Sequence, residues 1–229
     1  MSTRLTIMRI YHGSKDIIKK PIFGIGKKYN DYGLGFYCTE SIELAKEWAV
    51  DINRDGFANI YELDIKDLKI LNLNDKKYNI LHWLTILLEN RIFDIHSSLA
   101  YEGREYLLKN FKINYEDYDV IIGYRADDSY FAFAQDFLNG SISYKQLNNA
   151  LLLGKLGNQI VLKSKKAFNK IEFIDYIKVD KDKYYPIKEN RDKLARREYF
   201  NNERNKRQKG DINIINIIDE EMKENDPRL

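Results

Sequence analysis

Two short segments about twenty residues apart hold the residue types best suited to chemistry: Tyr11-His12-Gly13-Ser14, and Asp31-Tyr32-Gly33-Leu34-Gly35-Phe36-Tyr37-Cys38-Thr39. Nicotinamide would suit such a pair, because its carboxamide needs one donor and one acceptor in fixed geometry. The N–H and C=O of Gly13 can supply both, since glycine lets a ligand approach the backbone closely. His12 is then placed to bond a ribose hydroxyl, and Ser14 adds a further donor and acceptor. In the second segment Gly33 and Gly35 permit a tight turn, and Tyr37 offers a flat ring on which a pyridinium can stack. One of the neighbours Phe36 and Tyr37 is expected in the core, since adjacent strand residues point to opposite faces. The plainer alternative is a satisfied histidine at a strand end and two core aromatics after a glycine turn.

Other candidates are fewer. Gly24-x-Gly26 and Gly33-x-Gly35 lack the third glycine and the strand–turn–helix setting of a dinucleotide fingerprint, which argues against a Rossmann fold. Arg125, Asp127 and Asp128 follow a strand-like run; the arginine could pair with a pyrophosphate, and the aspartates could act as carboxylates or cap the next helix. Cys38 stands alone in the chain, so it excludes an intramolecular disulfide and reads as a small buried thiol. His82 and His96 lack ligand spacing, and no metal is expected.

The elements that must position these residues mix strands and helices without a βαβ alternation. Strand-like runs are Ile7–Tyr11, Asn59–Asp64, Tyr118–Gly123, Asn158–Lys163 and Ile171–Val179, rich in Ile, Val, Tyr and Phe. Helix-like stretches are Ser41–Ile52, Asn79–Asn90, Leu99–Asn110, Ser129–Leu138 and Ser143–Leu153. Thr39 or Ser41 can cap the first helix, and Ser143 with Gln146 forms a capping-box pattern. The expected fold class is α+β with a short, mostly antiparallel sheet.

At 44% hydrophobic and 32% charged residues, the chain of 229 residues reads as soluble and globular, with a core for one domain plus an appendage. Its longest apolar run, Ile80–Leu88, contains His82 and Thr85 and is too short to span a bilayer. No secretory signal is evident, and a cytoplasmic location without membrane contact is expected. Charge is uneven: residues 181–209 hold eleven Lys/Arg against five Asp/Glu, and the last twenty residues two against six. Such a distribution marks nucleic-acid and partner contacts, or a solvated helix of mixed charge. The expected boundary falls at Asp180, with residues 1–180 as the main domain and 181–229 as a charged helical extension. In the extension a long exposed helix runs to Gly210. The isoleucine-rich segment Ile212–Ile218 must dock on the domain, on a second copy or on a partner.

His-Gly-Ser, then Gly-x-Gly-x-Tyr and a helix, resembles the catalytic domain of ADP-ribosyltransferases of the diphtheria-toxin and poly(ADP-ribose) polymerase branch. Their third signature is a glutamate opening a late strand; the matching place here is Asn158-Gln159-Ile160-Val161-Leu162, which sets Gln159 where that branch often has glutamate. Tyr118–Gly123 with Ala126-Asp127-Asp128-Ser129-Tyr130 looks more specifically like a bacterial family of unknown function associated with toxin–antitoxin operons. The resemblance runs from about Arg9 to about Phe173, with a fainter echo in Gly210–Ile218.

That resemblance implies a split, mostly antiparallel sheet core with NAD bound as substrate in a cleft between two small sheets. His12 would lie on the adenine-side ribose, Gly13 on the carboxamide, Tyr37 with Tyr32 or Phe36 around nicotinamide, and Gln159 on the reacting ribose. The implied function is mono-ADP-ribosyl transfer from NAD to a macromolecule, nucleic acid or protein, by the toxin of a toxin–antitoxin pair. An antitoxin protein would then be a candidate partner for the C-terminal segment. The aromatics Tyr184, Tyr185, Tyr199 and Phe200, interleaved with the basic residues of 181–209, fit a nucleic-acid acceptor. Gln159 can make the glutamate's hydrogen bond but not supply its charge. A non-catalytic module that binds NAD or ADP-ribose is therefore the rival, and an interaction protein with a vestigial cleft the third reading.

Overall fold

The computed structural model describes residues 6–126, 128–155, 157–206 and 208–229. Two sheets form its centre. In the first, β1 (Ile7–Ser14), β3 (Gly56–Asp64) and β7 (Ile171–Val179) pair antiparallel in the order β1-β3-β7. The second has the order β2-β6-β5-β4, from β2 (Phe36–Cys38), β4 (Ile70–Asn72), β5 (Val120–Tyr124) and β6 (Asn158–Leu162). All its pairings are antiparallel except β4 with β5. The class is α+β, with two sheets where the strand pattern suggests one.

The sheets meet where β1 touches the end of β2: Tyr11 and Thr39 exchange backbone hydrogen bonds of 2.8 and 2.9 Å. Ile10, Phe36, Cys38, Tyr61, Leu63, Val120, Ile160 and Leu162 are buried together near this join. Each comes from a strand whose alternate side chains turn inward, as the two-residue period requires. Burial pushes the Cys38 thiol far above its ordinary pKa, so it stays protonated.

Helices cover the outer faces. α1 (Ile42–Ala49) lies on the first sheet; Ser41 caps it by accepting from the Leu44 N–H at 3.3 Å. α2 (Ile80–Asn90) is buried from Ile80 to Leu88 and runs through the main core, its N-terminus closed by a box between Asn79 and His82. α3 (Ser98–Asn110) packs on it, and α4 (Asp128–Leu138) and α5 (Tyr144–Leu152) join the same core, the last carrying the Ser143–Gln146 capping box read from the sequence. Among the described residues no helix is long and apolar enough to cross a membrane.

The C-terminal segment is built into this body. α7 (Lys181–Glu198) follows the short α6 (Lys165–Phe168), widens into a loosely wound turn over Tyr199–Arg204, and so stops before Gly210. Gly210 sits at φ +88°, a conformation glycine tolerates. α8 (Ile214–Asp219) then docks on the domain itself, with Ile214 and Ile217 fully buried. The site of Ile214 is opened by Gly103 of α3, where a Cβ would come within 2.7 Å of its side chain. With Ile214 and Ile217 turned inward, Ile215 is the exposed member of the isoleucine cluster. The interleaved aromatics divide similarly, Tyr184 and Tyr199 being buried and Phe200 exposed, so half of the expected stacking surface faces the core. Ile214→Ala should lower unfolding free energy by about 2–5 kcal/mol. An unchanged midpoint in urea would refute the docking of α8.

Candidate ligand cleft between the two sheets

β1, β2 and β6 together wall a cavity of about 810 Å³, within the range of small-molecule sites. Of the nine site residues read from the sequence, seven line it: His12, Gly13, Gly35, Phe36, Tyr37, Arg125 and Gln159. Ser14 and Tyr32 do not. Ser14 turns its hydroxyl to the carbonyl of Asp16 at 2.5 Å and accepts from Asn59, closing the loop after β1 instead of meeting a ligand. Tyr32 is wholly buried and donates to the Tyr124 carbonyl at 2.6 Å, in a slot that exists because Gly123 has no side chain. Asp127 lies outside the described residues, and α4 begins at Asp128.

Each remaining residue has a structural reason for its place. Tyr11 turns its N–H and C=O to the open edge of β1, where they bond Thr39. The strand's two-residue period turns those of Gly13 to the same edge, one step past the bridge and at the cavity wall. On its other side Gly13 must be glycine because α1 lies against it, a Cβ falling 2.1 Å from the Ala45 carbonyl. Gly35 lets the β2 entry lie flat on β6, where a Cβ would stand 2.6 Å from Val161. Gly33 has φ +70°, and a Cβ there would fall 2.4 Å from Oδ1 of Asn90.

His12 and Tyr37 hold each other. His12 Nδ1 donates to the Tyr37 carbonyl at 2.6 Å, and its ring lies 4.4 Å from that of Phe36. A carbonyl only accepts, so Nδ1 carries the proton and the neutral ring has Nε2 as an acceptor. Burial lowers the His12 pKa below its ordinary 6.5, the Tyr37 hydrogen bond opposing in part. The Tyr37 hydroxyl donates to the Gly33 carbonyl at 2.5 Å and accepts from the Tyr32 N–H at 3.1 Å, bracing the glycine turn. Lys163 braces it from β6, donating to the carbonyls of Tyr32 and Leu34 at 2.5 and 2.9 Å.

Gln159, at the start of β6, is 7% exposed. Its Nε2 lies 3.4 Å from Oδ2 of Asp31, while Oε1 is buried with no hydrogen-bond partner among the described residues. Trp48 Nε1, on another wall of the same cavity, is likewise buried and without one. A buried acceptor and a buried donor left open cost about 1–3 kcal/mol each unless a bound group completes them.

Sequence reasoning missed Asp31. It is 4% exposed, accepts from Arg91 Nη1 at 3.0 Å through Oδ1, and accepts from the Ala126 N–H at 2.9 Å through Oδ2. Nothing in the sequence joins it to Arg91 sixty positions away; the available signal was an acidic residue at the head of a glycine–aromatic motif. Among the described residues the charged side chains around the cavity are Lys20, Lys27, Arg91, Arg125 and Lys188 against Asp31. That balance favours an anionic ligand. Arg125 lies with its guanidinium 4.1 Å from the centre of the Trp48 ring. Lys188 comes from α7, so the C-terminal segment supplies part of the wall.

Searches of curated proteins and of solved structures found no match. Residues 8–173 match the model of a family described as "Protein of unknown function (DUF3990)", and the chain belongs to that family.

Proposed function

We propose that the cleft binds NAD and that the protein transfers its ADP-ribose to a macromolecular acceptor, on an ADP-ribosyltransferase-like arrangement of the two sheets. One observation carries the reading: His12, Tyr37 and Gln159, from three distant stretches of chain, meet around one cavity whose charged rim is mostly cationic. The open-edge N–H and C=O of Gly13 suit the carboxamide. Tyr37 and Phe36 offer ring surface for nicotinamide, the His12 Nε2 accepts from a ribose hydroxyl, and Arg125 suits the pyrophosphate.

The reaction breaks the bond between ribose C1′ and the pyridinium nitrogen. Its electron pair neutralises the ring, nicotinamide leaves uncharged, and C1′ passes through an oxocarbenium-like state. A lone pair of the acceptor forms the new bond to C1′, and the acceptor loses a proton. Fixed dipoles around the ribose stabilise that state more than the ground state. The open acceptor of Gln159 suits a ribose hydroxyl there. Resemblance to the toxin-associated family extends the proposal to a toxin acting on nucleic acid or protein. Gln159 in place of a carboxylate favours one rival, a module that binds NAD without turnover.

Calorimetric titration of NAD into wild type and His12→Ala tests the binding. Saturable binding is expected, weakened about fivefold to tenfold in the variant, as for one lost hydrogen bond; absence of binding to wild type would refute the proposal. The pH dependence follows from His12. Its folded pKa is depressed, so the neutral ring and full affinity persist above 6.5. Affinity falls only as pH drops through the folded value. The stability contributed by the neutral ring is lost in the same direction, beginning as pH falls below 6.5. Affinity that rises on acidification would exclude the acceptor role.

A further inference from the structure

We propose that Asp31 is the positioning residue of this cleft, fixing the amide of Gln159 and supplying from the neighbouring loop the negative charge that Gln159 lacks. The inference rests on the NAD-cleaving reading of the site. Among the described residues lining the cavity, Asp31 is the one carboxylate. It is almost completely buried, and a buried carboxylate persists only when paired. Its pairing is directional: Oδ1 takes Arg91 at 3.0 Å, and Oδ2 takes the Ala126 N–H at 2.9 Å. Oδ2 also faces Gln159 Nε2 at 3.4 Å. A carboxylate only accepts, so the Gln159 atom facing it must be the NH₂, and Oε1 is held on the other side of the amide. Oε1 is the atom left without a donor. Asp31 thus sets which end of Gln159 is open to a ligand.

The consequence is that charge and hydrogen bond are divided between two residues. Placing a glutamate at position 159 would set two carboxylates at hydrogen-bond distance, and like charges so close cannot both ionise without cost. The substitution that brings residue 159 to the glutamate common in ADP-ribosyltransferases should therefore impair this protein. Moving the charge instead of doubling it should restore function.

The test compares wild type with Asp31→Asn, Gln159→Glu and the double variant, using NAD as probe. Nicotinamide release, NAD affinity and urea unfolding are measured for all four. Asp31→Asn and Gln159→Glu should each lower release at least tenfold, with NAD affinity changed less than threefold, and the double variant should return to within about threefold of wild type. An active wild type whose Asp31→Asn variant is equally active, or whose Gln159→Glu variant is faster, would overturn the role of Asp31 and leave the proposed function standing. A wild type that neither binds nor cleaves NAD would overturn the proposed function. The unfolding data then judge the pair alone: additive effects of the two substitutions would overturn the coupling, and a double variant more stable than the sum predicts would support it.

Discussion

Gln159→Ala should slow nicotinamide release by roughly 10²–10³-fold, the effect of removing one preorganised polar group from a charge-developing transition state. The expectation comes from the buried, unpartnered Oε1 at the cavity wall. Alanine at the start of β6 keeps the backbone pairing with Gly123 of β5, so the loss should come with the fold intact and only a small drop in melting temperature. Removing the side chain also removes a buried polar atom without a partner, which offsets part of the lost packing. The effect should fall on kcat more than on KM, because the ribose contact tightens as positive charge develops. A variant within threefold of wild-type release would show that Gln159 takes no part in the chemistry.

Glu47→Ala should cost about 3 kcal/mol of stability. Glu47 of α1 is 4% exposed in its side chain and takes a two-pronged contact from Arg191 of α7, at 2.9 and 2.7 Å. Breaking a buried pair by removing one partner costs ~3–5 kcal/mol, and the 28% exposure of the Arg191 side chain places this case at the lower end. Tyr184 adds a hydrogen bond to Glu43 at 3.1 Å on the same face. Loss of the pair should free α7, raising amide exchange across residues 181–198. It should also weaken ligand binding, since α7 brings Lys188 to the cavity. Replacing both members, Glu47→Leu with Arg191→Leu, should recover much of the stability, because an apolar pair of similar volume is close to neutral in place of a buried ion pair. An unfolding free energy for Glu47→Ala within ~0.5 kcal/mol of wild type would mean that α7 is not pinned by this pair.

The roles of α7 and Asp31 mark the limit of what the sequence reveals. The long periodic elements were readable: β7 has the bounds its Ile, Phe and Tyr content suggests, and α5 opens on the capping box of Ser143 and Gln146. β2 and β4, three residues each, are too short to show a period and were not legible. α7 looks solvated because few of its side chains are buried, Tyr184 and Ala195 among them, and its ion pair with Glu47 does not alter its composition. In the cleft, the residues identified by local motif were found at the wall when the motif itself needed glycine or an aromatic there, as with Gly13, Gly35 and Tyr37. Tyr32 shares the motif but turns inward, because the glycine at 123 leaves a slot for its hydroxyl. That slot is set by a strand ninety positions away, as are the partners of Asp31 in their own places, and no local pattern carries such information.

The central claim is that this cleft cleaves NAD and passes ADP-ribose on. The most direct measurement incubates the protein with NAD labelled in its adenylate half and with cell extract split into nuclease-treated and protease-treated portions. Wild type should place label on macromolecules that survive one treatment and not the other, and His12→Ala and Gln159→Ala should place far less. Measurable NAD binding with neither nicotinamide release nor transferred label would contradict the claim and leave a binding module in its place.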